Sequence, residues 1–100
     1  MLERFHVRPE DEVRIAADDL QTTVAAILTA LDVPDDEAAE AADVLVTADL
    51  RGVESHGVSN MLRWYVGYYR DGSMNPRPQL RIVRERPGTA TLDGDRGLGI

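Results

Sequence analysis

Residues 48–58 read Ala48-Asp49-Leu50-Arg51-Gly52-Val53-Glu54-Ser55-His56-Gly57-Val58 and interrupt a helical apolar periodicity on both sides. Two glycines and a Ser-His pair within seven residues predict a loop over Arg51–Gly57 between two helices. Upstream, Pro34 followed by Asp35, Asp36 and Glu37 is a helix start, because proline tolerates the first turn and acids suit its positive end. Ala38, Ala41, Ala42, Leu45, Val46 and Ala48 then supply one apolar face. Further back, Val13, Ala17, Leu20, Val24, Ile27, Leu28 and Leu31 recur at three- and four-residue steps. With Pro9 and the acids Glu10, Asp11 and Glu12 before them, they predict a first helix from about Pro9 to Leu31. The short connection between the two helices favours an antiparallel pair. Phe5-His6-Val7 reads as an edge strand or an ordered arm.

Downstream of the loop, Val58, Leu62, Tyr65 and Tyr69 form one face of a third helix, with Met61, Trp64 and Tyr68 beside it. Asp71-Gly72 ends it, and Pro76 and Pro78 prevent its continuation. Leu80–Arg84 and Thr89–Asp93 then read as two strands joined by Glu85-Arg86-Pro87-Gly88. The fold class is therefore α+β: a three-helix region followed by the start of a β-sheet domain, divided into residues 1–75 and 76–100. A lone hairpin is marginal without more sheet or a covering helix, so the chain reads as the N-terminal piece of something longer.

Composition narrows the function classes. In 100 residues, 43% are hydrophobic and 29% charged, which allows one small core and argues against disorder. The net charge of −7 argues against general nucleic-acid binding, which needs a surplus of bases to neutralise phosphates. There is no cysteine, which excludes disulfides and thiol catalysis. The longest uncharged stretch, Leu20–Leu31, falls short of the roughly 18 residues of a membrane span. Met1–Phe5 lacks the basic start and apolar run of a signal peptide, so the expected location is the cytoplasm. Charge is unevenly placed: residues 1–50 carry thirteen acids and three arginines, residues 51–100 five acids and eight arginines. Every base is arginine. The second half thus suits an anionic ligand or cofactor, although arginines satisfying neighbouring surface acids explain the same pattern.

Among single residues, His56 is the main candidate for chemistry. It lies in a loop opening a helix, with a glycine beside it that leaves room for substrate, and imidazole exchanges protons near neutrality. A histidine that caps or packs a helix start is the competing reading. Ser55 fits three roles: N-cap, substrate contact, or orienting His56; the N-cap is the default for serine. A Ser-His nucleophilic dyad is disfavoured, since adjacent residues seldom place the hydroxyl on the imidazole nitrogen. Two histidines, His6 and His56, fifty residues apart, offer no metal site. Asp93-Gly94-Asp95 lacks the further ligands of a calcium loop, and Gly94, Gly97 and Gly99 miss the dinucleotide spacing, so a tight turn is the better account. Trp64, Tyr65, Tyr68 and Tyr69 read as one aromatic cluster, in a core or a subunit contact, with an aromatic cage for a cofactor as the alternative.

The run Ala48–Val58 resembles the N-terminal signature of the malate/L-lactate dehydrogenase family, the non-Rossmann group that includes sulfolactate and ureidoglycolate dehydrogenases. The helix pair before Ser55-His56-Gly57, the helix ending in Asp71-Gly72, Asn75-Pro76 and the strands leading into Asp93–Gly99 follow the same order. The resemblance implies hydride transfer between NAD or NADP and a small 2-hydroxy acid, 2-oxo acid or related imine in a cytoplasmic homodimer. It assigns His56 as acid–base group, with Ser55 contacting substrate or supporting the histidine. Many members carry an arginine four residues after this histidine, suited to gripping a substrate carboxylate. That position is Asn60 here, and Arg63, about one turn onward, is the candidate replacement. The family's nicotinamide-binding residues lie mostly beyond Ile100, so the 100-residue piece alone is expected to be inactive. The alternative is a small non-catalytic helical interaction module, if the natural chain has only these residues.

Overall fold

The computed structural model describes residues 3–100; Met1 and Leu2, the first residues of the segment read above for a signal peptide, lie outside the described residues. Its main elements are α1 (Ala17–Ala30), α2 (Asp35–Leu50), α3 (Val58–Asp71), β1 (Arg81–Arg86) and β2 (Thr89–Asp93). Short 3₁₀ turns occupy Glu3–Phe5, Pro9–Asp11 and Glu54–His56.

The α1–α2 pair contains the core. Val24 and Leu28 of α1, Val33 of the connection, and Ala38, Ala41, Ala42 and Leu45 of α2 form one buried cluster. Four of the α2 positions in or beside it are alanines or valine, so the two backbones come close and Leu28 and Leu45 fill the space between them. The predicted face of α2 is thus realised, with Val46 buried as well. α3 lies across this pair with Val58, Met61, Leu62, Tyr65 and Tyr69 half-buried against the cluster, and ends at Gly72 in the left-handed conformation (φ 82°) that glycine adopts without strain.

One expectation is corrected and two are narrowed. The first helix begins at Ala17, not near Pro9. Pro9 opens only a 3₁₀ turn, held by Arg8 donating to Asp11 at 2.9 Å, after which Glu12 turns extended. Val13 and Ile15 are both exposed in the extended stretch that follows. Their two-residue alternation and β-branching suit an extended chain, and the coincident spacing of Val13 to Ala17 concealed it. The segment 5–7 is an arm, not a strand: after the turn at Glu3–Phe5, the Val7 N–H donates to Glu54 Oε2 at 3.2 Å. The aromatic cluster is split. Tyr65 and Tyr69 face the core, whereas Trp64 and Tyr68 stand exposed on the adjacent strip of α3, stacked at 6.5 Å.

The hairpin forms with a tighter turn than the sequence predicts. β1 runs on to Arg86, which pairs with Thr89 across Pro87-Gly88, and Val83 is left over between the pairs Ile82–Leu92 and Arg84–Thr91 as a bulge. Every residue of both strands is exposed. The base of the hairpin is tied down by the glycine-rich segment after it. Asp95 accepts the Asn75 side-chain amide and the Gln79 N–H, both at 3.0 Å, while the Asn75 N–H donates to the Arg96 carbonyl at 2.9 Å. Leu98 reaches the core cluster. Gly94–Gly97 is a closed turn, the Gly97 N–H donating to the Gly94 carbonyl at 2.9 Å, as expected for this run.

Candidate active site

The loop between α2 and α3 delivers Ser55 and His56 on the 3₁₀ turn Glu54–His56, closed by the His56 N–H donating to the Val53 carbonyl at 3.0 Å. On this turn the Ser55 Oγ lies 2.9 Å from His56 Nδ1. The expectation that neighbours on one backbone would not meet in this way is therefore overturned. His56 is exposed and Ser55 half-buried. Engagement of Nδ1 by the hydroxyl leaves Nε2 as the nitrogen for exchange with a reacting group.

Ser55 is not the N-cap of α3. That position is Gly57, and the orphan Val58 N–H donates across the loop to Asp49 Oδ2 at 2.9 Å. Asp49, in the last turn of α2, thus caps α3 from outside it. A carboxylate suits the positive end of a helix. Gly57 is buried directly on that carboxylate, and a Cβ there would overlap it. Its backbone is extended (φ −91°), so the glycine is required by space and not by conformation. Sequence reasoning did not single out Asp49. It stands nine residues before the N–H that it accepts, and no local capping pattern has that spacing.

Asn60 and Arg63 are brought together and tied to the same loop. Asn60 Nδ2 donates to the Ser55 carbonyl at 2.7 Å, and its Oδ1 accepts from Arg63 NH2 at 3.1 Å. Arg63 Nε donates to the Asn60 carbonyl at 3.3 Å, and the guanidinium lies 5.4 Å from the Trp64 ring centroid. Ser55, Asn60 and Arg63 are therefore one connected set. His6 takes no part in it. Glu54, adjacent to Ser55, holds the arm through Val7.

Burial pushes the Tyr65 phenol above its ordinary pKa, and burial, with the charge of Glu37 and the neighbouring Tyr65, does the same for Tyr69. Both stay protonated at neutral pH and serve the core. Among the described residues no group of three or more metal-ligating side chains converges, and no helix is long and apolar enough to cross a membrane.

Comparison with known proteins identifies the family of the chain. The family profile described as malate/L-lactate dehydrogenase matches residues 15–100. The chain is 46% identical over 99 residues to malate dehydrogenase of Pyrococcus horikoshii, covering 99% of this chain and 27% of that protein. The solved structure of the P. horikoshii enzyme superimposes with a TM-score of 0.82 at 47% identity, over 87% of this chain and 25% of that one. That of sulfolactate dehydrogenase from Methanocaldococcus jannaschii gives 0.80 at 38% identity, over 85% and 24%. The chain spans about a quarter of the length of these relatives, with 27% the share of the first. It belongs to the malate/L-lactate dehydrogenase family.

Proposed function

We propose that the complete protein is an NAD- or NADP-dependent oxidoreductase that interconverts a small 2-hydroxy acid and its 2-oxo acid, or a related imine, with His56 as the acid–base group. The observation that carries this reading is the hydrogen bond of Ser55 Oγ to His56 Nδ1 on an exposed turn of a chain belonging to this family. A serine hydroxyl both donates and accepts, so it serves either imidazole tautomer. In reduction the imidazolium form, with Nδ1–H donating to Oγ, delivers its Nε2 proton to the substrate oxygen and is left as the neutral ring. In oxidation that neutral ring, still donating Nδ1–H to Oγ, takes the hydroxyl proton on Nε2.

A nicotinamide supplies the hydride acceptor or donor when bound. The described residues offer no cradle for its phosphates: Gly94 and Gly97 lie in a turn closed on itself and on Pro78, opening no helix. The part assigned to this chain is therefore proton transfer and the grip on substrate. Arg63 spends two donors on Asn60, and the remaining N–H groups of its fork suit a substrate carboxylate. Asn60 holds that fork against the loop bearing His56, in place of the arginine common at its position. In this reading residues 1–75 are the site-bearing helical unit, 76–100 begin the cofactor and substrate domain, and the enzyme works as a cytoplasmic homodimer.

The decisive test is His56→Ala in the complete protein, assayed with 2-oxo acids against NADH and NADPH. Loss of an acid–base group is expected to lower kcat about 10²–10⁴-fold while cofactor affinity holds. Turnover near that of the unaltered enzyme overturns the assignment.

A further inference from the structure

The geometry points to Asp49 as the positioning residue for His56: it locks the Ser55-His56-Gly57 turn onto the end of α2 by a hydrogen bond and a steric contact made by one carboxylate. The inference rests on the reading of His56 above. Two independent observations carry it. Asp49 Oδ2 accepts the Val58 N–H at 2.9 Å, which fixes the residue two places after His56. The same carboxylate packs on the Cα of buried Gly57, the residue directly after His56, so closely that no side chain fits between them. The turn is also held from its other end, where the Val53 N–H donates to the Ala48 carbonyl at 2.8 Å, next to Asp49. The backbone of the turn is thus fastened to residues 48–49 of α2 both before and after His56, while the imidazole itself stays exposed.

Asp49 needs no contact with substrate for this role. An acid–base group displaced by about 1 Å can lose on the order of 10²-fold in rate, so a residue that fixes the backbone on which His56 rides acts on kcat. The role also predicts a coupling. Gly57→Ala drives its methyl group into the Asp49 carboxylate and displaces the turn, whereas shortening Asp49 to alanine removes the obstacle.

The test uses the complete protein and four variants: D49A, D49N, G57A and D49A/G57A. D49A is expected to lower kcat about tenfold or more while the KM for nicotinamide holds, and the His56 ring signals in ¹H–¹⁵N NMR shift. D49N, whose amide oxygen still accepts the Val58 N–H, restores most of kcat. G57A falls as far as D49A, and the double variant falls no further than either single one. A purely structural contribution would instead lower melting temperature in D49A and leave the kcat of the folded enzyme unchanged. Unaltered kcat in folded D49A, with H56A inactive, overturns the role of Asp49 and leaves that of His56 standing. An active H56A overturns the reading of His56 beneath it. If D49A does not fold, G57A decides: full kcat in that variant shows that the turn needs no lock.

Discussion

The α1–α2 pair and the β1–β2 hairpin are both built from antiparallel neighbours joined by short turns, yet they differ in what covers them. Among the described residues, all eight buried apolar ones, from Val24 to Val46, lie in the helix pair and its connection. The hairpin buries none: Ile82, Val83 and Leu92 are each more than half exposed. What holds the hairpin is polar, the Asp95 carboxylate bridging Asn75 and Gln79 at its base. The first unit is fastened by apolar burial inside this chain, the second by hydrogen bonds at one end. α3 stands between them, half-covered by the pair, and carries the site at the end where the pair anchors it.

The largest effect that would break this contrast is expected at Leu28, which is fully buried. Leu28→Ala should cost about 2–5 kcal/mol, the range for a leucine truncated in a close-packed core. Leu45→Ala should cost a similar amount. Chemical denaturation followed by circular dichroism measures both, and a loss under about 1 kcal/mol would show that the pair is not the chain's core.

The core was legible because helical periodicity and burial share one cause. The α2 face could be read off Ala38 to Val46, and Pro34 with the acids after it marked the start of that helix one residue from where it lies. What escaped depends on contacts distant in sequence. Asp49 caps a helix other than its own, so nothing near Val58 announced it. Ser55 has the right residue type for a cap, but the cap was already taken by that carboxylate. Val13 carried two periodicities at once, and it lies before the helix and exposed. In the site, His56 stood out as a residue type next to a glycine, whereas the bond from Ser55 and the bridge of Asn60 to Arg63 required the backbone path of the turn.

A smaller effect sharpens the comparison from the other side. Ile82→Ser on the exposed hairpin should change the stability of the 100-residue chain by no more than about 0.5 kcal/mol, as at surface positions without special contacts. The same substitution in the complete protein should cost more than about 1 kcal/mol if the hairpin joins a larger sheet there, because its apolar residues then become buried. Equal costs in the two settings would show that nothing covers β1.

The smallest effect concerns two exposed aspartates, one ending α3 and one ending the hairpin. Asp71, at the end of α3, accepts the Ser73 hydroxyl and then the Ser73 N–H, which together hold its carboxyl below the ordinary range. Asp93, at the end of β2, is held low first by the Asp95 N–H and then by the Arg81 guanidinium at 3.2 Å. In both, the folded pKa lies below the unfolded one. Each contribution is therefore present above about pH 4, the unfolded aspartate value, and is lost as pH falls through the lowered folded pKa. The leading partners differ, and so should the response to side-chain removal. Ser73→Ala removes the foremost partner of Asp71 and should return its pKa most of the way. Arg81→Gln leaves the Asp95 N–H in place, so Asp93 should recover only part of its shift. Carboxyl ¹³C titration by NMR reads both sites in one experiment. Full recovery at Asp93 in the Arg81 variant would mean that an ion pair across the hairpin, rather than the backbone of the turn, holds that carboxylate.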